Sequence, residues 1–313
     1  MGWWGGRGSS GFGGRSTSDE VTEGIDASGL TAIVTGGFSG IGEDTARVLA
    51  LRGAYVVIAG RNLENGRKTK DEILKKFPGA KVEIMELDLS SLTSVRRFAN
   101  EFLAKNVPLN ILINNAGIML CPYQLSVDGV EMHFATNHLG HFLLTNLLLD
   151  KMKETAKVTG TEGRIINVSS MAYMMTYRGG IQLERLNEKS GYMSFLAYGQ
   201  SKLANILHAN ELTKRLSEEG ANVTANSLHP GEIKTGLPRY SRLVQAIMPF
   251  YSPFMKSIPQ GAATTCYLAL HPSLKGVSGE YFHNCNVYGK GGYAKSEELA
   301  KKLWDVSVQM SSK

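Results

Sequence analysis

The apolar positions of this chain fall into short continuous runs separated by longer amphipathic stretches, the rhythm of a parallel sheet with covering helices. Leu30-Thr-Ala-Ile-Val34, Ala54-Tyr-Val-Val-Ile-Ala59, Val82 to Leu87, Leu109-Asn-Ile-Leu-Ile113, Gly163 to Ser170, Val223 to Leu228 and Gly279-Glu-Tyr-Phe282 read as strands. Helices are expected from Glu43 to Arg52 (stopping at Gly53), over residues 91–105 and 130–153, and around Tyr198 as far as Glu218. Two more are expected over Gln260–His271 and residues 295–310. The pattern predicts an α/β protein: a single Rossmann-type, doubly wound domain with a mostly parallel sheet of about seven strands.

Two stretches break the rhythm. Residues 1–27 form a Gly/Ser-rich N-terminal segment expected to be flexible, ahead of a catalytic domain over 28–313. Within it, residues 1–18 read either as a loose tail or as a targeting or membrane-surface segment, the latter because Trp3 and Trp4 are amphipathic anchors. Residues 236–258, with Leu243, Val244, Ile247, Met248, Phe250, Tyr251 and Phe254, are apolar without strand alternation. They read as a substrate lid, with a partner-binding helix as the alternative. The C-terminal stretch carries Leu299, Leu303 and Trp304. It reads as a packed helix ahead of a calmodulin-type target.

At 313 residues, 42% hydrophobic and 20% charged, the chain suits one large domain, and no second boundary appears after the first 30 residues. The net charge of +6 is interspersed rather than clustered, so nucleic-acid binding is not expected. Cys121, Cys266 and Cys285 are odd in number and lack C-x-x-C spacing, which predicts reduced thiols and an intracellular compartment. No run of about 18 apolar residues predicts a spanning helix.

The chemistry concentrates at strand ends. Thr35-Gly-Gly-Phe-Ser-Gly-Ile-Gly42 sits between strand and helix. There Gly36 permits the tight turn, Gly40 lets backbone approach a pyrophosphate, and Gly42 permits close helix–strand packing. The place where an acid would bind the adenosine ribose 2′-hydroxyl is Gly60, followed by Arg61. A guanidinium there, contributing about 1.5–3 kcal/mol to a 2′-phosphate contact, predicts NADPH over NADH. Asp88 could accept the adenine amino group, and Asn114-Asn115 should hold the sheet or border the cofactor. His138 and His141 lack a third ligand and are expected to pack rather than bind metal. Tyr198 and Lys202 share a helix face, with Ser170 at a strand's C-terminal end. A lysine cation roughly 4 Å from the phenol would favour its ionised form by about 4 kcal/mol, bringing it towards neutral pH.

Together these residues resemble the short-chain dehydrogenase/reductase family over roughly residues 28–290. The matches are Gly36, Gly40 and Gly42, Asp88, Asn114-Asn-Ala-Gly117, Asn137, Ser170, Tyr198, Lys202 and Pro230-Gly231 with Thr235. The resemblance implies NAD(P)-dependent carbonyl or alcohol chemistry, and helix-mediated dimers or tetramers. It also implies a catalytic set of Asn137, Ser170, Tyr198 and Lys202, with Asn137 placing a relay water. The implied NADP(H) site comprises Gly36, Ser39, Gly40, Ile41, Gly42, Arg61, Asp88, Leu89, Asn115, Ala116, Gly117, Tyr198, Lys202, Pro230, Gly231, Ile233 and Thr235. Within the family the chain is similar to a plant retinol-dehydrogenase-like branch that includes a dehydrogenase of the chloroplast inner-envelope import translocon. That places it in the chloroplast (inner envelope or stroma) or the cytoplasm.

Departures cluster near the substrate mouth: Gly37-Phe38 stands where the branch has Ala-Ser, Asn110 where many relatives have Asp, and Met171-Ala-Tyr-Met-Met-Thr-Tyr-Arg178 precedes the tyrosine. With Met171, Tyr173, Met174 and Met175 there, the expected substrate is an apolar ketone, aldehyde or alcohol of terpenoid, retinoid or aromatic kind, in plant specialised metabolism. The competing expectation is an NADPH-sensing component in contact with the envelope or its translocon. Kinase and hydrolase chemistry are excluded, since neither a Gly-Lys-Ser/Thr sequence after the glycines nor a G-x-S-x-G is present.

Overall fold

The computed structural model describes residues 6–233 and 255–312. Trp3, Trp4, Thr235 and residues 236–254 of the expected lid lie outside the described residues. The strands are β1 (Thr31–Thr35), β2 (Tyr55–Gly60), β3 (Lys81–Glu86), β4 (Ile111–Asn114), β5 (Gly163–Val168), β6 (Val223–His229), β7 (Tyr281–His283) and β8 (Asn286–Val287). They form one sheet in the order β3-β2-β1-β4-β5-β6-β7-β8, parallel except for the β7–β8 pair. Among the described residues the sheet therefore has eight strands rather than about seven. The extra one is a two-residue return through Asn284 and Cys285, both in the left-handed region (φ 53° and 62°), too short to leave a hydrophobic run.

The helices are α1 (Gly40–Leu51), α2 (Leu63–Lys76), α3 (Leu92–Ala104), α4 (Gly140–Thr159), α5 (Ser194–Glu218), α6 (Ile258–Leu270) and α7 (Glu297–Ser311). Alternation along the buried strands divides the core into two layers. Ile33, Val57, Leu112 and Ile165 pack with α3, α4 and α5 on one face of the sheet. Their neighbours Ala32, Val34, Val56, Ile58, Ile111, Ile113 and Ile166 pack with α1, α2 and α6 on the other. Helix α7 lies outside α4 and α5. Its Leu303 is buried, and Trp304 meets Phe142 edge-on at 4.9 Å under the Arg215 guanidinium at 4.3 Å. Among the described residues no helix is long and apolar enough to cross a membrane.

Two local differences from the expected elements matter. Residues 130–153 are not one regular helix: a turn at Met132–Phe134 leads into a π-helical turn at Ala135–Leu139, and only then into α4. Moreover, much of the segment expected to be flexible is laid down on the domain. Ser18, Val21, Thr22 and Ala27 are buried. Arg47 on α1 takes Asp19 in a two-pronged ion pair, and Ser18 Oγ donates to Asp44 at 2.5 Å. Phe12 meets Tyr267 and His271 edge-on, each at 5.7 Å, and Asn286 of β8 bonds Ser10 N and Phe12 O. The glycines there allow close approach: a Cβ on Gly8 would run into the Asn286 amide.

Candidate active site

The sheet order reverses between β1 and β4, and a parallel sheet opens a ligand crevice beyond its C-terminal edge at such a point. There β1 ends at Thr35, whose hydroxyl accepts from Asn115 N (2.9 Å) and Ala116 N (3.0 Å) and meets His141 Nε2 at 2.8 Å. Asn115 Nδ2 returns a bond to Thr35 O at 2.8 Å, whereas Asn114 turns into the sheet to Thr145 and Asn167. The two asparagines thus divide the expected roles. Gly36 (φ 67°) lies against Ala116, where a Cβ would come within 2.9 Å of the backbone. A Cβ on Gly42 would drive into Gly36 O and the Asn115 amide. Ser39 is the N-cap of α1, and its hydroxyl makes no capping bond. A floor that tolerates no side chain, at the N-terminus of a helix, fits a dinucleotide's pyrophosphate.

Arg61 follows β2, exposed and without a hydrogen bond or ion pair among the described residues. Asp88 uses one carboxylate oxygen on Ser90 N and Oγ (2.9 and 2.7 Å), and the buried Leu89 backbone lies under Gly140. Pro230, Gly231 (φ 102°) and Ile233 follow β6, and Ile233 bridges to Lys256.

Ser170 follows β5 and opens a short turn, its hydroxyl accepting from Ala172 N at 3.2 Å. Tyr198 and Lys202 face it from α5, both buried. Asn137 sits in the π-helical turn. Its Oδ1 accepts from Ile118 N (2.8 Å), and its Nδ2 donates to Ile118 O (3.0 Å) and Ser201 Oγ (2.9 Å). Gly117 fits between Asn137 and Lys202: a Cβ there would lie 3.2 Å from Asn137 Oδ1 and 3.4 Å from Lys202 Nζ. All four candidate catalytic residues are therefore drawn together.

The electrostatics differ from the expectation. Burial pushes the Tyr198 phenol up to about 12, with the Ser170 hydroxyl pulling the other way. Burial also brings the Lys202 ammonium down to about 8. Lys202 Nζ lies 5.8 Å from the Tyr198 ring centre and donates to Val168 O at 3.0 Å. Its ammonium is hydrogen-bonded to a strand end rather than to the phenol, and at Tyr198 desolvation outweighs the attraction the i, i+4 spacing suggests.

Several neighbours have partners that the sequence did not indicate. His141, pushed down to about 4 by burial, links Thr35 to Asn137 O (3.0 Å), while His138 reaches Ser307 on α7. Cys121, Glu131 and His133 form a buried cluster beside the site, their ligand-type atoms within 4.8 Å of one another. Glu131 accepts from Phe134 N (2.9 Å) and meets His133 Nδ1 at 2.8 Å and Tyr192 OH at 3.2 Å, while the His133 ring lies edge-on to Tyr198 at 6.1 Å. Because its atoms satisfy one another, the cluster braces the loops around Tyr198. Near the mouth, Tyr173 is not a pocket residue. It is buried against Tyr281, with its hydroxyl accepting from Gly291 N, whereas Met174, Met175, Met193 and Phe195 are exposed.

The sheet order and the glycine turn are those of a nucleotide-binding α/β fold, and comparison with known proteins gives the class. Residues 30–244 match the short chain dehydrogenase family, and the chain belongs to it. It is 57% identical over 304 residues to the short-chain dehydrogenase TIC 32 B, chloroplastic, of Brassica napus, covering 97% of this chain and 95% of that one. Mouse retinol dehydrogenase 12 is 43% identical over 289 residues, with 92% and 88% covered. A solved structure from Mycobacterium paratuberculosis superposes with a TM-score of 0.74 at 36% identity, over 93% of this chain and 97% of that one. The protein is thus a short-chain dehydrogenase/reductase, an oxidoreductase family acting on CH–OH groups with a nicotinamide dinucleotide.

Proposed function

We propose that this chain is an NADP(H)-dependent carbonyl reductase and alcohol dehydrogenase for apolar substrates. The observation that carries it is the convergence of Ser170, Tyr198, Lys202 and Asn137 beside a glycine turn that fits a pyrophosphate. When bound, the cofactor supplies or takes the hydride. Ser170 would hold the carbonyl oxygen by a hydrogen bond. Tyr198, protonated at neutral pH in its buried site, would donate the proton to that oxygen and take it back in the oxidation. Lys202 would bind the nicotinamide ribose and supply positive charge beside Tyr198. Asn137 would hold the Ile118 backbone and so shape the relay path, rather than spend its amide on a water.

Arg61, exposed and uncommitted at the end of β2, supports NADPH over NADH. The exposed Met174, Met175, Met193 and Phe195 support an apolar substrate. The chloroplast TIC 32 relatives support a chloroplast location. The same relatives support a second reading, an NADPH-sensing component at the envelope.

NADPH and NADH oxidation over a panel of terpenoid, steroid, retinoid and aromatic carbonyls tests the proposal, with Tyr198→Phe alongside. Turnover with NADPH should fall by roughly 10²–10⁴-fold in the variant. Cofactor binding without turnover on any carbonyl or matching alcohol would favour the sensor instead.

A further inference from the structure

Two glycines near the adenosine end of the proposed site have no backbone reason to be glycine. Gly60 closes β2 and Gly66 lies in the first turns of α2, and neither has a positive φ. Both instead face Phe38. A Cβ on Gly60 would lie 2.7 Å from Phe38 Cδ2, and one on Gly66 would lie 2.8 Å from Cε1 and Cζ. The ring is therefore held on two edges, between the end of β2 and the start of α2. Those two glycines bracket Arg61 and Asn62, and Asn62 Oδ1 caps α2 by accepting from Asn65 N at 3.1 Å. At its other end Phe38 belongs to the turn that runs from Gly36 to Ser39. That turn is pinned where Gly36 meets Ala116 and where a Cβ on Gly37 would press within 2.9 Å of Ile58.

We propose that Phe38 is the positioning residue that gives this enzyme its preference for NADPH. Wedged between Gly60 and Gly66, it ties the glycine turn to the arc that carries Arg61. It so fixes where the guanidinium stands relative to a bound dinucleotide. A phenyl ring offers a phosphate no hydrogen bond, so discrimination falls on Arg61, and the ring limits the freedom Arg61 must lose on binding. A small polar residue at position 38 would leave a void between Gly60 and Gly66 and let the arc move. This rests on the NADP(H) reading above and adds the residue that enforces it.

The test is equilibrium binding of NADPH, NADH and 2′,5′-ADP to wild type and Phe38→Ser, each checked for an intact fold by circular dichroism. In Phe38→Ser, affinity for NADPH and 2′,5′-ADP should fall at least tenfold while NADH changes less than threefold. A loss confined to structure would lower all three together. Gly60→Ala, which presses a methyl into the ring, should weaken NADPH in the wild-type background and have little further effect in Phe38→Ser. If Phe38→Ser does not fold, Phe38→Leu reads the same ratio, which should fall at least threefold. A wild type that prefers NADPH and a folded Phe38 variant with the same ratio would overturn this inference alone. A wild type that binds both cofactors equally would overturn the cofactor reading and this inference with it.

Discussion

Asn137 offers a test that separates bracing from proton relay. Its side chain makes three hydrogen bonds, all buried, and two of them hold both backbone groups of Ile118. Ile118 follows Gly117, the residue that fits between Asn137 and Lys202, so the amide sets the wall behind Lys202. Asn137→Ala leaves Ile118 N and O buried without those partners. Stranding a buried polar group costs about 1–3 kcal/mol, so the pair costs about 2–6 kcal/mol. For a chain of this size each kcal/mol lowers the melting temperature by about 2 °C, giving a drop of roughly 4–12 °C. Thermal melting followed by circular dichroism measures it. Thr136→Ala serves as the control, because that side chain is half-buried and its hydroxyl makes only a weak bond to Met132 Sδ at 3.7 Å among the described residues. It should stay within about 0.5 kcal/mol. An Asn137→Ala protein melting within 1 °C of wild type would refute the bracing role and return Asn137 to relay alone.

Other outcomes follow from the same geometry. With Lys202 near 8 when folded against an ordinary 10.5, the unfolded chain binds more protons between those values. This lysine's share of the stability should therefore rise with pH from about 8 to 10, by up to about 1.4 kcal/mol per pH unit, while the buried thiols of Cys121, Cys266 and Cys285, raised above their ordinary value, act in the opposite sense above pH 9. Lys202→Met should flatten that rise in urea titrations, leaving the similar share of Lys256, also near 8; an unchanged slope would count against the buried cation. Tyr198, raised to about 12, acts in the opposite sense only above pH 10. Gly42→Ala should cost about 1–3 kcal/mol by overpacking against Gly36 O and should abolish dinucleotide binding, read by calorimetry. Phe12→Ala should release the N-terminal segment from α6, so that limited proteolysis cuts within residues 6–17 faster than in wild type. Equal cleavage rates would mean that Asn286 and Asp44 suffice to hold it.

The sequence alone determined the layered fold, because buried parallel strands need continuous apolar runs and their helices need caps and stops that local residues supply. Leu30–Val34 and the glycine turn after it carry that signal within a dozen positions. It also located Ser170, Tyr198 and Lys202, since spacing on one strand end and one helix face is local information. Tertiary structure alone decided what those groups do electrostatically. Tyr198 is raised rather than lowered because burial depends on everything packed around α5, and Lys202 turns to Val168 O because β5 ends there. It decided that the stretch around Phe12 lies on α6 and β8, since Phe12 and Tyr267 are neighbours only after folding. The network through Glu131, His133 and Tyr192 and the wedge of Phe38 between Gly60 and Gly66 join residues that neither helical nor strand periodicity relates. Periodicity reports which face of an element is buried, whereas the partner met on that face is fixed only when the whole chain packs.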